Sequence, residues 1–237
     1  MNRVRISDFV PADPDVQNQL NRIAANLLLP GKDKKSFAVT SCHDGEGKST
    51  LAVQLAYTLT REGHRVIVID AVSDGSTAFD YTAAENGEEN KKSLANYLNG
   101  KCSFSDLYYI TEVLNLFVLP LKFFISDCSM PADPALFSDL LASLSGSFDF
   151  IIVDTPSAGR TIDAVNIANA CDGIILVVKY RSTKKKDIRE VVCQLEKSGT
   201  PILGCVINKV RFDSIISRKR YRFLRTSLSG RKSRRKK

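Results

Sequence analysis

The sequence of 237 residues has no tryptophan and only two histidines, so a metal site built on histidine is not expected. Its six cysteines lie at positions 42, 102, 128, 171, 193 and 205, and no two of them form a CxxC pair. Reduced cytosolic thiols are therefore their expected state. No apolar run approaches ~18 residues, and the N-terminal MNRVRISDF lacks the apolar core of a signal peptide. We expect neither a membrane span nor secretion.

The charge of the chain is unevenly distributed. Hydrophobic residues make up 43% and charged residues 25%, which is typical of a globular protein. Residues 218–237 hold 11 Lys and Arg and no acid, which leaves 23 basic against 26 acidic residues elsewhere. The basic character thus belongs to a tail that we expect to be disordered. The folded part is not predicted to bind nucleic acid by its charge.

Short runs of Val, Ile and Leu alternate with longer segments of helical periodicity. The runs are nearly continuous in apolar residues, which is typical of strands buried on both faces of a parallel sheet. We predict an α/β fold, a doubly wound, mostly parallel sheet with helices on both faces. The predicted strands are 37–41, 65–70, 116–120, 150–154, 173–179 and 202–207, the predicted helices are 16–29, 49–62, 134–144, 161–170 and 184–198, and residues 71–92 are predicted to form a mobile loop.

A glycine-rich turn, SCHDGEGKST at 41–50, joins the first of these long strands to the helix that follows. Such a turn aims backbone N–H groups at an anion, and the helix N-terminus adds partial positive charge. Lys48 is predicted to reach the β- and γ-phosphates of a nucleotide, and the Ser49 hydroxyl to ligate Mg²⁺. The alternative is a chance Gly-Lys turn, since Cys42 stands where the usual GxxxxGK[ST] pattern has glycine. The predicted nucleotide-binding residues are Asp44, Gly45, Glu46, Gly47, Lys48, Ser49, Thr50 and Asn208.

Polar residues also end three further strands. Asp70 ends VIVID and Asp154 ends FIIVD, and the carboxyl ends of parallel strands form the ligand edge of such a sheet. With Ser49 they are predicted to hold Mg²⁺, which prefers oxygen ligands. The alternative for Asp154 is a capping or turn residue before Thr-Pro. Asn208, after the last strand, is predicted to bond adenine, or else simply to begin a turn.

Four stretches carry a family resemblance: TSCHDGEGKSTLAVQLAYTLTREGHRVIVIDA, KSLANYLNGK, the run from FVLPLKFF to DGIILVV, and GTPILGCVINKV. Over residues 16–212 the chain resembles the bacterial tyrosine kinases of capsule and exopolysaccharide export, the BY-kinases, a branch of the ParA/MinD-like P-loop proteins. The partitioning ATPases of that group carry KGGxGK[ST], with lysine where this chain has His43. Glu46 in GEGKST matches the BY-kinase form.

The resemblance implies a cytoplasmic protein-tyrosine kinase that uses Mg-ATP and regulates polysaccharide synthesis and export. Lys48, Asp70 and Asp154 would be its catalytic residues, with Asp70 helping to deprotonate the substrate tyrosine. The implied partners are a transmembrane polysaccharide co-polymerase acting as adaptor, protein tyrosine substrates and further copies of the chain. The implied organisation is a helical segment at 1–35, a P-loop kinase domain at 36–212 and a basic tail at 213–237.

Three departures from the family pattern keep alternatives open. The DxDxR motif retains Asp70, but Val72 replaces its second aspartate and Asp74 its arginine; the N-terminal ExxRxxR positions hold Asn18, Asn21 and Ala24; and the tail has one tyrosine, Tyr221. The chain could thus be an ATP-binding regulator with weakened catalysis, or a positioning ATPase of the ParA/MinD type. The tail is either a solvated charge run or an attachment to the anionic inner face of the membrane, where the protein would be peripheral.

Overall fold

A mostly parallel sheet lies at the centre of the computed structural model, which describes residues 3–7, 9–29, 34–72, 78–81, 107–121, 134–197 and 199–210. The strands in these ranges are β1 (Arg5–Ile6), β2 (Ser36–Ser41), β3 (Val66–Asp70), β4 (Phe79–Asp80), β5 (Tyr109–Ile110), β6 (Leu116–Pro120), β7 (Phe150–Asp154), β8 (Gly173–Lys179) and β9 (Ile202–Asn208). The helices are α1 (Pro14–Leu27), α2 (Lys48–Arg61), α3 (Pro134–Ser145), α4 (Ile162–Asn169) and α5 (Lys185–Glu196).

The seven strands of the central sheet follow the order β5-β6-β3-β7-β2-β8-β9. All neighbours are parallel except β5, which pairs antiparallel with β6 at one edge. The six predicted strands and the predicted α/β fold class are therefore confirmed. Sequence reasoning missed β5 and the short antiparallel pair of β1 and β4, because two-residue strands leave no readable periodicity.

Helices cover both faces of the sheet, and successive residues of β2 show how its two sides are divided. Phe37 and Val39 pack with α1 and α2, whereas Ala38 packs with α3, α4 and α5. This alternation follows from the two-residue period of a strand. Burial of each large apolar side chain there contributes about 1.5–3 kcal/mol. The predicted two-sided burial is thus confirmed for β2, β3, β7 and β8, but it is wrong for β9, an edge strand whose residues are half-buried or exposed.

The helices begin in two different ways. Asp13 caps α1 by accepting from the amides of Asp15 and Val16, and the Thr161 hydroxyl caps α4. Gly47 precedes α2 with a φ of 95° and brings no capping side chain. The first amides of α2 are consequently left for another acceptor, which is the arrangement expected of an anion-binding helix.

The prediction of a mobile loop over 71–92 is wrong for residues 78–81. Phe79 and Asp80 form β4, paired with β1, and both Phe79 and Tyr81 bury their rings in the core with α1 and α2. The burial of two aromatic side chains outweighs the polar, glycine-containing composition of the segment around them. Ala71 and Val72 are also buried. Residues 73–77 and 82–92 lie outside the described residues.

The predicted domain limits stay a prediction. Within the described ranges, α1 shares the core of α2 through Leu20, Ala24 and Leu27. Residues 211–237, which include the whole of the predicted basic tail, lie outside the described residues. Within the described residues, no helix is both long and apolar enough to cross a bilayer.

Candidate functional site

The loop between β2 and α2 lies at the carboxyl edge of the sheet, where parallel α/β folds bind ligands. Gly45 and Gly47 both have positive φ angles, 71° and 95°, which other residues rarely adopt. A Cβ on Gly47 would stand 2.1 Å from Nδ2 of Asn208. The loop therefore requires glycine at position 47 for two reasons, its backbone angle and the close approach of Asn208.

Glu46 braces this loop from inside. Its carboxylate is buried and accepts from the backbone amides of Cys42, at 3.0 Å, and His43, at 3.1 Å. The Thr183 hydroxyl, from the turn before α5, donates to its other oxygen. Each loop amide can serve one acceptor, so the amides of residues 42 and 43 are already engaged. Glu46, predicted to bind nucleotide, holds the loop in shape with its side chain.

Asn208 and Lys209 approach the loop from the end of β9. Asn208 Nδ2 donates to the carbonyl of Glu46 at 2.9 Å, and Lys209 Nζ donates to the carbonyl of Gly45 at 2.8 Å. Asn208, the residue predicted to bond adenine, thus lies beside the loop, and one hydrogen of its side-chain amide is bonded to the loop. Its oxygen accepts from the backbone amide of Lys209 at 2.8 Å, so the second amide hydrogen and the other lone pair of that oxygen are the groups that suit a purine edge.

Lys48, at the start of α2, is held by a polar network. Its ammonium donates to the Ser157 hydroxyl at 3.1 Å and lies 3.9 Å from Oδ1 of Asp44. The Ser157 hydroxyl donates to the same Asp44 oxygen at 2.5 Å, and Arg160 Nη1 donates to Oδ2. The hydrogen bond from Ser157 is the largest cause that holds the pKa of Asp44 below its usual range. Desolvation by burial, which comes second, opposes it, and the hydrogen bond from Arg160 and the charge of Lys48 lower the pKa further.

The exposure of these groups differs in a way that bears on their chemistry. Only 9% of the Lys48 side chain is exposed, against 46% for Asp44 and 62% for Arg160. An ion pair as exposed as that of Asp44 with Arg160 is worth about 0–1 kcal/mol. A more highly charged anion can therefore compete with Asp44 for both cations.

Asp70 and Asp154 end neighbouring strands and are partners in the parallel register of β3 and β7. Both are almost completely buried. Asp70 Oδ1 accepts from the amide of Val72 at 3.3 Å, and its Oδ2 accepts from the Tyr81 hydroxyl at 2.8 Å. Because Asp154 also pairs in register with Val39 of β2, the strand that leads into the loop, both carboxylates stand at the edge from which the loop departs.

Ser49 and Thr50 occupy the first turn of α2, half-buried and exposed respectively. A serine hydroxyl and two carboxylates are hard oxygen donors, which is the ligand chemistry that Mg²⁺ prefers. The residues present therefore fit a magnesium ion, and the positive-φ loop before an uncapped helix fits a phosphate chain.

Cys42 and His43 have chemistry of their own. Burial, followed by the nearby charge of Glu46, raises the pKa of the Cys42 thiol to about 12, so it stays protonated at neutral pH and is no nucleophile. His43 Nε2 lies 2.9 Å from Oδ2 of Asp187 on α5. This contact joins the loop to α5, and hydrogen bonding by His43 holds the pKa of Asp187 below its usual range.

Comparison with known proteins shows which family the chain belongs to. Residues 34–202 match the model of a family described as an AAA domain. The chain is 35% identical over 203 residues to the tyrosine-protein kinase CpsD of Streptococcus agalactiae serotype III, covering 82% of each chain. The chain belongs to the bacterial tyrosine-kinase family. The resemblance read from the sequence motifs is confirmed.

Two solved structures place this BY-kinase chain within its fold group. The VpsO kinase domain is 27% identical, with a TM-score of 0.63 over 84% of this chain and 100% of that one. The septum site-determining protein MinD of Pyrococcus horikoshii, complexed with Mg-ADP, is 24% identical, with a TM-score of 0.55 over 73% of this chain and 69% of that one. The second likeness shows the shared P-loop fold.

Sequence reasoning missed several residues of this BY-kinase site, including Thr183 and Lys209 beside the loop. Ser157 and Arg160 follow the strand that ends in Asp154, and Tyr81 lies in the segment expected to be a loop. The stretch DTPSAGR contained a usable signal, because an arginine six residues beyond an acidic strand end falls on the ligand edge of the sheet. Nothing in the local sequence pairs Tyr81 with Asp70, which are 11 positions apart.

Proposed function

We propose that this chain is a protein-tyrosine kinase that transfers the γ-phosphoryl group of Mg-ATP to tyrosine hydroxyls and acts in capsule or exopolysaccharide synthesis. The observation that carries the proposal is the pair Asp70 and Asp154, buried side by side at the sheet edge where a glycine-rich loop presents Lys48. Relatives named tyrosine-protein kinase support the same activity.

Catalysis at this site would rest on positioning and charge. Lys48 and the amides of the loop would hold the phosphates, while Ser49 and Asp154 would hold Mg²⁺. Bound magnesium would neutralise charge on the transferring phosphoryl group. Asp70, oriented by hydrogen bonds from the Val72 amide and the Tyr81 hydroxyl, would accept a proton from the attacking tyrosine hydroxyl. Asn208 would orient adenine from the other side of the loop.

Recruitment to the membrane forms part of the proposal. We infer that a transmembrane polysaccharide co-polymerase binds this chain through a cytoplasmic segment, which the family resemblance supports. The protein would then act in the cytoplasm at the inner face of the membrane, with protein tyrosines as substrates and with copies of itself as neighbours.

A second function is favoured by one observation. Val72, where the family pattern has a second aspartate, is buried and offers neither a metal ligand nor a proton acceptor. A chain that binds ATP without transferring phosphate would act as a nucleotide-switched regulator of the same export system. The two functions share the nucleotide site and differ in whether phosphotyrosine forms.

The deciding experiment incubates the purified full chain with Mg-ATP, with and without a candidate adaptor segment, and measures phosphotyrosine by mass spectrometry. Asp154→Asn is the inactive reference, and Asp139→Asn is the matched control, an exposed carboxylate on α3. We expect slow phosphorylation that the adaptor segment accelerates and that Asp154→Asn abolishes. ATP binding without phosphotyrosine under any condition would establish the regulator instead.

A further inference from the structure

Two cations converge on one carboxylate beside the phosphate loop. Lys48 approaches one oxygen of Asp44, directly and through Ser157, and Arg160 donates to the other. We propose that Arg160 is a nucleotide-binding residue, which exchanges Asp44 for the outermost phosphate of ATP. This inference rests on the proposed function, since it assigns a further residue to the same nucleotide site.

The backbone before Arg160 packs directly against the phosphate loop, so the side chain needs to move little to exchange one partner for the other. The amide of Ala158 donates to the carbonyl of Ser41 at 2.9 Å, so the segment after β7 is joined to the start of the loop. A Cβ on Gly159 would stand 2.3 Å from the carbonyl oxygen of Cys42, which shows how closely the two segments pack. The Arg160 side chain therefore extends from a backbone segment that packs against the phosphate loop.

Charge and shape favour a phosphate over Asp44 as the partner of Arg160. The planar guanidinium fork matches carboxylate and phosphate oxygens equally well in shape. The triphosphate of ATP carries several negative charges, whereas Asp44 carries one and shares it between two cations. Asp44 left in place would repel the same phosphates, so binding of ATP and release of Arg160 from Asp44 favour each other.

The depth of each cation indicates which phosphate Arg160 meets. The Lys48 side chain is nearly buried at the base of the network, and that of Arg160 is 62% exposed at its outer side. A phosphate chain seated on Lys48 would consequently present its outermost group towards Arg160. The arginine would then distinguish ATP from ADP, a distinction that a purely structural role would not produce.

The test is calorimetric titration of the full chain with Mg-ATP and with Mg-ADP. The variants are Arg160→Gln, Asp44→Asn and the two combined, and the matched control is Arg61→Gln, an exposed arginine at the far end of α2. Arg160→Gln should weaken the binding of ATP by about tenfold or more and the binding of ADP by less than about threefold. Asp44→Asn should tighten the binding of ATP several-fold, because the carboxylate that competes with the phosphate is gone. The gain should be smaller when Arg160→Gln is also present.

Three outcomes would overturn the inference. ATP affinity that is unchanged by Arg160→Gln would remove the arginine from the site. Equal losses for ATP and ADP would reduce Arg160 to a support of the loop. Weaker ATP binding in Asp44→Asn would make Asp44 an aid to the nucleotide and not its competitor. If wild type and Lys48→Ala both fail to bind nucleotide, the proposed function itself is wrong. Failure of the proposed function is therefore distinguishable from failure of the inference about Arg160.

Discussion

The hydroxyl of Tyr81 donates a 2.8 Å hydrogen bond to Oδ2 of Asp70. Both side chains are buried, and Tyr81 directly follows β4, a short strand that sequence reasoning missed. The bond fixes the orientation of the carboxylate that would accept a proton from the substrate. A segment with no motif of its own thus orients the carboxylate that we propose as the proton acceptor of the reaction.

Replacing Tyr81 by phenylalanine should slow phosphorylation without weakening ATP binding. The variant keeps the ring that packs beside Phe79 and removes the hydroxyl that donates to Asp70. We expect about 1 kcal/mol lower stability and about tenfold slower turnover, as for other residues that orient a catalytic group. Turnover and ATP affinity are measured separately, with Tyr57→Phe on α2 as the control. Loss of ATP affinity in Tyr81→Phe would contradict a role confined to Asp70.

Removal of the Lys48 ammonium should abolish most of the stabilisation by nucleotide. A ligand at about 100 times its Kd adds ~2.7 kcal/mol to the stability of the wild type, because it binds only the folded state. Thermal unfolding with and without Mg-ATP compares Lys48→Ala with Lys186→Ala, whose side chain is exposed on α5. Equal melting shifts in the wild type and in Lys48→Ala would refute the assignment of the phosphate loop.

Substitution of Gly47 by alanine should destroy nucleotide binding. The new Cβ would meet Asn208 Nδ2 at 2.1 Å, in addition to the strain of a φ of 95°. Gly63 provides a matched control, since its φ is 90° but a Cβ there would meet nothing within 4 Å. Gly63→Ala should cost about 1–2 kcal/mol of stability and leave ATP affinity unchanged. Calorimetry on both variants separates backbone strain from the clash, and intact binding by Gly47→Ala would contradict this account.

Restoring the second carboxylate, by Val72→Asp, tests whether the kinase site has decayed. The new side chain would be buried near Asp70, so in the absence of cations it should cost several kcal/mol and lower the melting temperature. Magnesium should recover part of that loss. A simultaneous rise in phosphotyrosine would support a weakened kinase, whereas Val72→Asn should give neither effect. Destabilisation that magnesium does not relieve would mean that the site holds no metal.

The basic tail should attach the protein to anionic membranes. Residues 218–237 carry 11 positive charges, each worth ~1 kcal/mol near an anionic surface. Co-sedimentation with acidic vesicles should exceed that with neutral vesicles and should weaken with salt, since screening shortens to ~8 Å at physiological ionic strength. Truncation to 1–217 should remove the difference. Equal sedimentation of full-length and truncated protein on acidic vesicles at low salt would show that the tail is not the anchor.

Much of the fold could be read from the sequence because it depends on patterns that are local. The continuous apolar runs that end in Asp70 and Asp154 predicted buried parallel strands, and GEGKST between a strand and a helix predicted the loop. Parallel strands place their carboxyl ends on one edge whatever their order, so the sequence alone brought these residues to the same side of the sheet.

Only the tertiary structure decided the contacts among the residues of the candidate site. The strand order made Asp70 and Asp154 register partners, and packing across 113 positions gave Asp44 the Ser157 hydroxyl as a donor. Tyr81 reached Asp70 because two aromatic rings buried a segment whose composition predicted a loop. A linear sequence records which groups are present, but their distances arise from packing of the whole core, in which each side chain takes the position that its neighbours leave.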